Sequence, residues 1–100
     1  MEKKRPSYSL NSFRAAAGEG DVMFTSSALQ SAANLGFSRS GIHDLIQTME
    51  DKHFYKSMTS HQSAQLWQDV YKVPSEVGLI YVKFTSEVVT EFKVLSFKEA

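Results

Sequence analysis

Six side chains in the second half of the sequence have types that can act together on a polyanion: Lys56, Met58, Gln68, Tyr81, Lys83 and Lys98. Ammonium groups stabilise negative charge. A phenol can hold or relay a proton, and an amide can orient a phosphate or read a base edge without titrating. A thioether and an aromatic ring add contact for a nucleobase. The six can cooperate only if they share one surface, and their spacing allows it. They fall in stretches of apolar–polar alternation near 53–59, 66–73, 78–86 and 90–98, which read as four β-strands. Successive side chains of a strand point to opposite faces. If Ile80, Val82 and Phe84, Leu95 and Phe97, and Trp67 and Tyr71 face a core, the six point the other way. Parity then puts no carboxylate among them, because Asp69 falls on the core side. Solvated lysines on the open face of an antiparallel sheet produce the same pattern, so parity alone leaves both readings standing. A β-bulge would turn over the assignment beyond it.

The elements that must hold this surface come from the first half. Leu10, Phe13 and Ala17 recur at helical spacing, and Gly18 and Gly20 stop that helix. Thr25, Ser26 and Ser27 are N-cap candidates for a second helix with apolar positions Ala28, Leu29, Ala32, Ala33 and Leu35, closed by Gly36. Ser38 or Ser40 can cap a third, in which Ile42, Leu45, Ile46 and Met49 form one buried stripe. Helices followed by a meander of strands predict a single α+β domain over residues 1–100, with N-terminal helices packed on one face of a C-terminal antiparallel sheet.

Composition narrows the function classes. The chain has no cysteine, which removes disulfides, thiol nucleophiles and Cys-based zinc sites. Its formal net charge is zero, unlike a dedicated DNA-coating protein. The basic start has no apolar segment behind it, and no run approaches the ~18 apolar residues of a membrane span, so a cytoplasmic protein without a membrane partner is expected. Residues 2–5, Glu-Lys-Lys-Arg, read as a solvated terminus. No carboxylate pair, His-Glu-x-x-His or His/Asp cluster suggests a metal site, and no cofactor is expected. His61 falls in a loop beside the six, as either a group that reaches their surface to act in the chemistry or a solvated loop residue; His43 and His53 read as structural or rim positions. A hydrolase triad drawn from Ser57, His61 and Asp69 lacks nucleophile-elbow glycines.

The stretches FYKSMTSH, WQDVY, YVKFT and LSFKE, in that order and at these spacings, resemble the motility quorum-sensing regulator (MqsR) toxins. The opening MEKKRP, the SALQSAANLGF segment and DKHFYKSMT fit as well, so the resemblance covers essentially the whole chain. It implies a fold like that of the RelE and YoeB ribonuclease toxins. It implies an endoribonuclease of a type II toxin–antitoxin module that cuts mRNA at GCU-like sequences without the ribosome. It further implies neutralisation by an MqsA-like antitoxin, a zinc-binding protein with a helix-turn-helix domain, and contact with promoter DNA only through that complex. Carried over position by position, the family's active-site residues correspond to Lys56, Gln68, Tyr81 and Lys98, all on the face found by parity; Met58, Lys83 and His61 would be RNA contacts. The segment TSEVVTEFKVLSFKE is about two residues longer than the family's usual turn, and Thr90 stands where the family pattern implies a histidine. That departure keeps a second reading open, a catalytically silent relative that acts by binding the antitoxin.

Overall fold

The computed structural model describes residues 1–62, 64–88 and 91–100, so Thr90 lies outside the described residues. Three nine-residue helices begin where a hydroxyl can satisfy a free backbone N–H. Helix α1 (Leu10–Gly18) is capped by Ser9, α2 (Ser26–Asn34) by Thr25 and α3 (Arg39–Gln47) by Ser38. The Thr25 and Ser38 hydroxyls each accept a backbone N–H at 3.1 Å. The chain leaves α2 through Gly36, whose φ of 90° favours a residue without Cβ. Each helix turns one apolar stripe inward: Leu10, Phe13 and Ala17; Ala28 and Ala32; Ile42, Leu45 and Ile46.

Among the described residues the sheet has six strands, not four. They are β1 (Glu2–Lys3), β2 (Val22–Phe24), β3 (Phe54–Met58), β4 (Gln68–Ser75), β5 (Gly78–Val88) and β6 (Glu91–Glu99), in the order β1-β3-β4-β5-β6-β2. Strands β3 to β6 form the antiparallel meander that alternation predicts. The two additional strands come from the helical half. β1 pairs antiparallel with β3, and β2 runs parallel to β6, so the sheet is mixed rather than purely antiparallel. Segments of two and three residues are too short to show a period, which is why the sequence conceals them.

The helices cover one face. Phe13 stacks on Phe84 with centroids 3.8 Å apart and planes 1° from parallel, while the edge of Phe92 meets it at 5.5 Å. Tyr71, Val73, Ile80, Val82, Val94 and Phe97 complete the sheet side of the core against Ile42, Ile46 and Met49.

Two bulges alter the faces that simple alternation assigns. In β6, Lys83 opposes Ser96 but Phe84 opposes Val94, leaving Leu95 as the extra residue. Phe92 and Val94 therefore join Phe97 in the core. Leu95, expected to face the helices, is only half-buried, and Lys93 moves to the open side. In β3, Phe54 opposes Tyr71 while Lys56 opposes Val70, leaving Tyr55 as the extra residue. Phe54 turns into the core against Tyr71, with centroids 5.4 Å apart, and Tyr55 joins Lys56 on the open side. Trp67 is also not a core residue. It precedes β4 and is half-buried, with the Lys3 ammonium 4.1 Å from its ring centroid.

Candidate active site on the open sheet face

Strand register arranges the open face in rows. In one, Lys56 lies opposite Val70, Val70 opposite Lys83, and Lys83 opposite Ser96. In the next, Lys72 lies opposite Tyr81 and Tyr81 opposite Lys98, whose ammonium is 5.4 Å from the Tyr81 ring centroid. On the other side of Lys56, Met58 lies opposite Gln68. The intervening residues Tyr71, Val73, Ile80, Val82 and Phe97 are in the core, which fixes all these side chains on the side away from the helices. Val70 is fully buried, so the floor between Lys56 and Lys83 is apolar.

The N-terminal segment reaches this surface because a buried carboxylate pins it. Asp69 is wholly enclosed on the helix side and accepts the backbone N–H groups of Ser7, at 3.0 Å, and Tyr8, at 2.9 Å. The Tyr8 hydroxyl donates to the Trp67 carbonyl at 2.7 Å, and the Ser7 and Ser57 hydroxyls are 2.8 Å apart. The Thr59 N–H donates to the Met1 carbonyl at 2.9 Å, continuing the attachment beyond β1. Residues 2–5 are therefore not a free solvated terminus. Glu2 lies opposite Met58, and Lys56 Nζ donates to Glu2 Oε2 at 2.9 Å. The face consequently does carry a carboxylate, delivered by a strand that alternation alone does not reveal.

These contacts set the acidities. The hydrogen bond to Glu2 is the main cause raising the Lys56 pKa above the ordinary lysine value; burial opposes it. The same bond lowers the Glu2 carboxyl. Burial pushes the Tyr81 phenol up, against the pull of the Lys56 ammonium. Lys83 moves the opposite way, lowered first by burial and then by its like-charged neighbours Lys98 and Lys56. Lys56 thus holds its proton, Tyr81 stays a neutral hydroxyl, and Lys83 is the lysine shifted toward giving its proton up.

The structure brings Lys56, Tyr81, Lys83 and Lys98 together. Gln68 is on the same face but only 6% exposed, at the start of β4, where its carbonyl accepts the Ser57 hydroxyl at 3.3 Å. His61 is exposed in the loop, and the recess it lines with Gln62, Ala64, Gln65 and Leu66 contains none of the four. Ser57 and Asp69 serve the N-terminal attachment, so no hydrolase triad forms with His61. His53 Nδ1 accepts the Glu50 N–H at 3.0 Å, and His43 meets the Phe24 ring edge at 5.6 Å; both are structural. Sequence reasoning missed Tyr55 and Glu2. The Tyr55 signal is a bulge that parity hides, and the Glu2 signal is a pairing across 54 residues.

Helices sealing one side of a sheet and cations beside phenols on the other define a class of small α+β protein whose surface suits a single-stranded polyanion. Comparison with known proteins narrows the class. The family model described as "Motility quorum-sensing regulator, toxin of MqsA" matches residues 5–99. The mRNA interferase toxin MqsR of Escherichia coli (strain K12) is 36% identical over 99 residues, covering 99% of each chain. The chain belongs to the motility quorum-sensing regulator family of toxins.

Proposed function

We propose that this chain is the toxin of a toxin–antitoxin pair and an endoribonuclease that cuts mRNA at GCU-like sequences on its open sheet face, in the cytoplasm, with neither metal nor ribosome. The observation that carries this reading is the cluster of Lys56, Tyr81, Lys83 and Lys98, which strand register gathers on the side of the sheet away from the helices. Family membership supports the toxin and mRNA-cleaving part, as the relative's name states that activity. Among the described residues no group of three or more His, Cys, Asp or Glu could hold a metal ion. No described helix is long and apolar enough to cross a membrane.

Cleavage without metal requires three events. A base removes the 2′-OH proton, the 2′-oxygen bonds to phosphorus as the P–O5′ bond breaks, and an acid protonates the departing 5′-oxygen. The products are a 2′,3′-cyclic phosphate and a 5′-OH. Lys56 and Tyr81 are the chief pair. Lys56 remains an ammonium that stabilises the phosphorane-like charge and supplies the proton to O5′. Tyr81 holds the 2′-OH in line through its neutral hydroxyl. Lys83, with its lowered pKa, accepts the 2′ proton. Lys98 holds the phosphate beside Tyr81, and Gln68 orients the nucleotide next to Met58. An MqsA-like antitoxin neutralises the toxin and carries it to promoter DNA.

The test incubates folded wild type and Lys56→Ala with mixed-sequence RNA in EDTA and maps the new 5′ ends. Discrete GCU-like cuts by the wild type, reduced about a hundredfold or more in Lys56→Ala, are expected. No cuts by folded wild type would favour a catalytically silent antitoxin-binding relative instead.

A further inference from the structure

Tyr55 occupies a position that packing does not require. The β3 bulge lets Phe54 fill the core and turns Tyr55 outward, where it is 40% exposed. Bulges commonly re-aim a side chain beside a functional site. Three ammonium groups surround the ring: Lys72 at 4.0 Å from its centroid, and Lys4 and Lys56 each at 5.4 Å. Lys56 has its carboxylate in Glu2, whereas Lys4 and Lys72 form no ion pair among the described residues. Lys72 faces Tyr81 across β4 and β5, and Lys98 follows Tyr81 on β6. Phenol and ammonium therefore alternate across four strands: Tyr55, Lys72, Tyr81, Lys98. With strands ~4.8 Å apart the row spans ~14 Å, enough for several nucleotides at the ~3.4 Å per residue of a stacked strand.

We propose that Tyr55 and Lys72 form a nucleotide subsite next to the cleavage centre, in which a base of single-stranded RNA stacks on the Tyr55 ring while Lys72 takes the adjoining phosphate. This rests on reading the open face as an RNA surface, and it adds a substrate track running across the strands. In the free protein the Lys72 ammonium lies on the Tyr55 ring. When a base takes that ring face, the ammonium transfers to the phosphate, exchanging a cation–π contact for a charge-assisted one. Stacking platforms beside lysines are the usual means of holding single strands without reading every base.

Binding and cleavage are measured separately. The binding probe is a fluorescein-labelled single-stranded RNA of roughly ten nucleotides, with 2′-deoxyribose throughout one GCU to prevent cutting there. Tyr55→Leu weakens binding about tenfold, and Tyr55→Phe, which keeps the ring, stays within about twofold. The slope of log affinity against log salt is unchanged in Tyr55→Leu and shallower by about 0.7 in Lys72→Met. Scanning the probe with single abasic nucleotides finds one position where wild type loses about tenfold and Tyr55→Leu loses nothing. Circular dichroism verifies that each variant is folded, and Lys72→Met reads the subsite independently of Tyr55. Wild-type affinity in folded Tyr55→Leu, or no position at which the abasic loss disappears, overturns the subsite. The cleavage reading is judged on the all-ribose RNA. Tyr55-dependent binding without cutting removes the nuclease and keeps the subsite, and cutting with Tyr55-independent binding does the reverse. No binding and no cutting by wild type overturns both.

Discussion

At the residue scale, the Glu2–Lys56 pair makes the clearest demand on the chemistry. The Lys56 side chain is 18% exposed and that of Glu2 56%, so the bond is partly solvated and contributes little to stability. Its effect is on protonation. Glu2 stabilises the charged form of Lys56, so removing the carboxylate lowers the Lys56 pKa. If the ammonium is the active form, Glu2→Gln moves the alkaline limb of the pH–rate profile to lower pH, with the thermal midpoint nearly unchanged. An unmoved alkaline limb would exclude Lys56 as the titrating acid. The sign is opposite for the carboxyl. The Glu2 pKa is lowered in the fold, so its stabilising share is present above the unfolded value and disappears as pH falls through the folded one. The shared face of Lys56, Gln68, Tyr81 and Lys98 was legible from strand parity because the bulges at Tyr55 and Leu95 fall before Lys56 and Lys98 and leave the register beyond them regular. Tyr55 was not, since one extra residue in β3 reverses its face.

At the element scale, β1 is a two-residue strand that cannot hold itself in place. Asp69 stabilises it from a distance through the N–H groups of Ser7 and Tyr8. Asp69→Asn keeps the volume but replaces one acceptor oxygen with a donor that faces those N–H groups, and is expected to cost about 2 kcal/mol. Because the segment it holds carries Glu2 and Lys4, the variant also reproduces the pH shift of Glu2→Gln. Thermal melts and the pH–rate profile check this together, and a destabilised Asp69→Asn with a wild-type profile would separate the anchor from the site. Among the elements, the three helices and the meander were legible because caps and periodicity extend over whole segments. The Ser38 and Thr25 caps are examples, each with its apolar stripe close behind. The strands β1 and β2 were not legible because their existence depends on partners far along the chain, β3 and β6, and not on local pattern.

At the scale of the whole molecule, zero net charge conceals a division of labour between two faces. The helix side spends its residues on aromatic packing, so the open side need not contribute to the core and can collect lysines. Phe13 is the joint between the layers, stacked on Phe84 and edge-on to Phe92. Phe13→Ala is expected to cost about 3–5 kcal/mol, a large fraction of the roughly 5–15 kcal/mol available to a domain. Urea unfolding measures the loss. A cost under about 1 kcal/mol would mean that the layers are held elsewhere.

The order β1-β3-β4-β5-β6-β2 places β6 inside the sheet, between β5 and the early strand β2. During synthesis, Val22–Phe24 emerges long before the strand it pairs with, Glu91–Glu99. A nascent chain that has not yet delivered β6 lacks both Lys98 and the wall against which α2 packs. Loop-closure entropy must be overcome across that separation before the pairing is rewarded. The open face is thus completed only after every other strand of the sheet has been synthesised, because β6, which carries Lys98, follows them all in the chain.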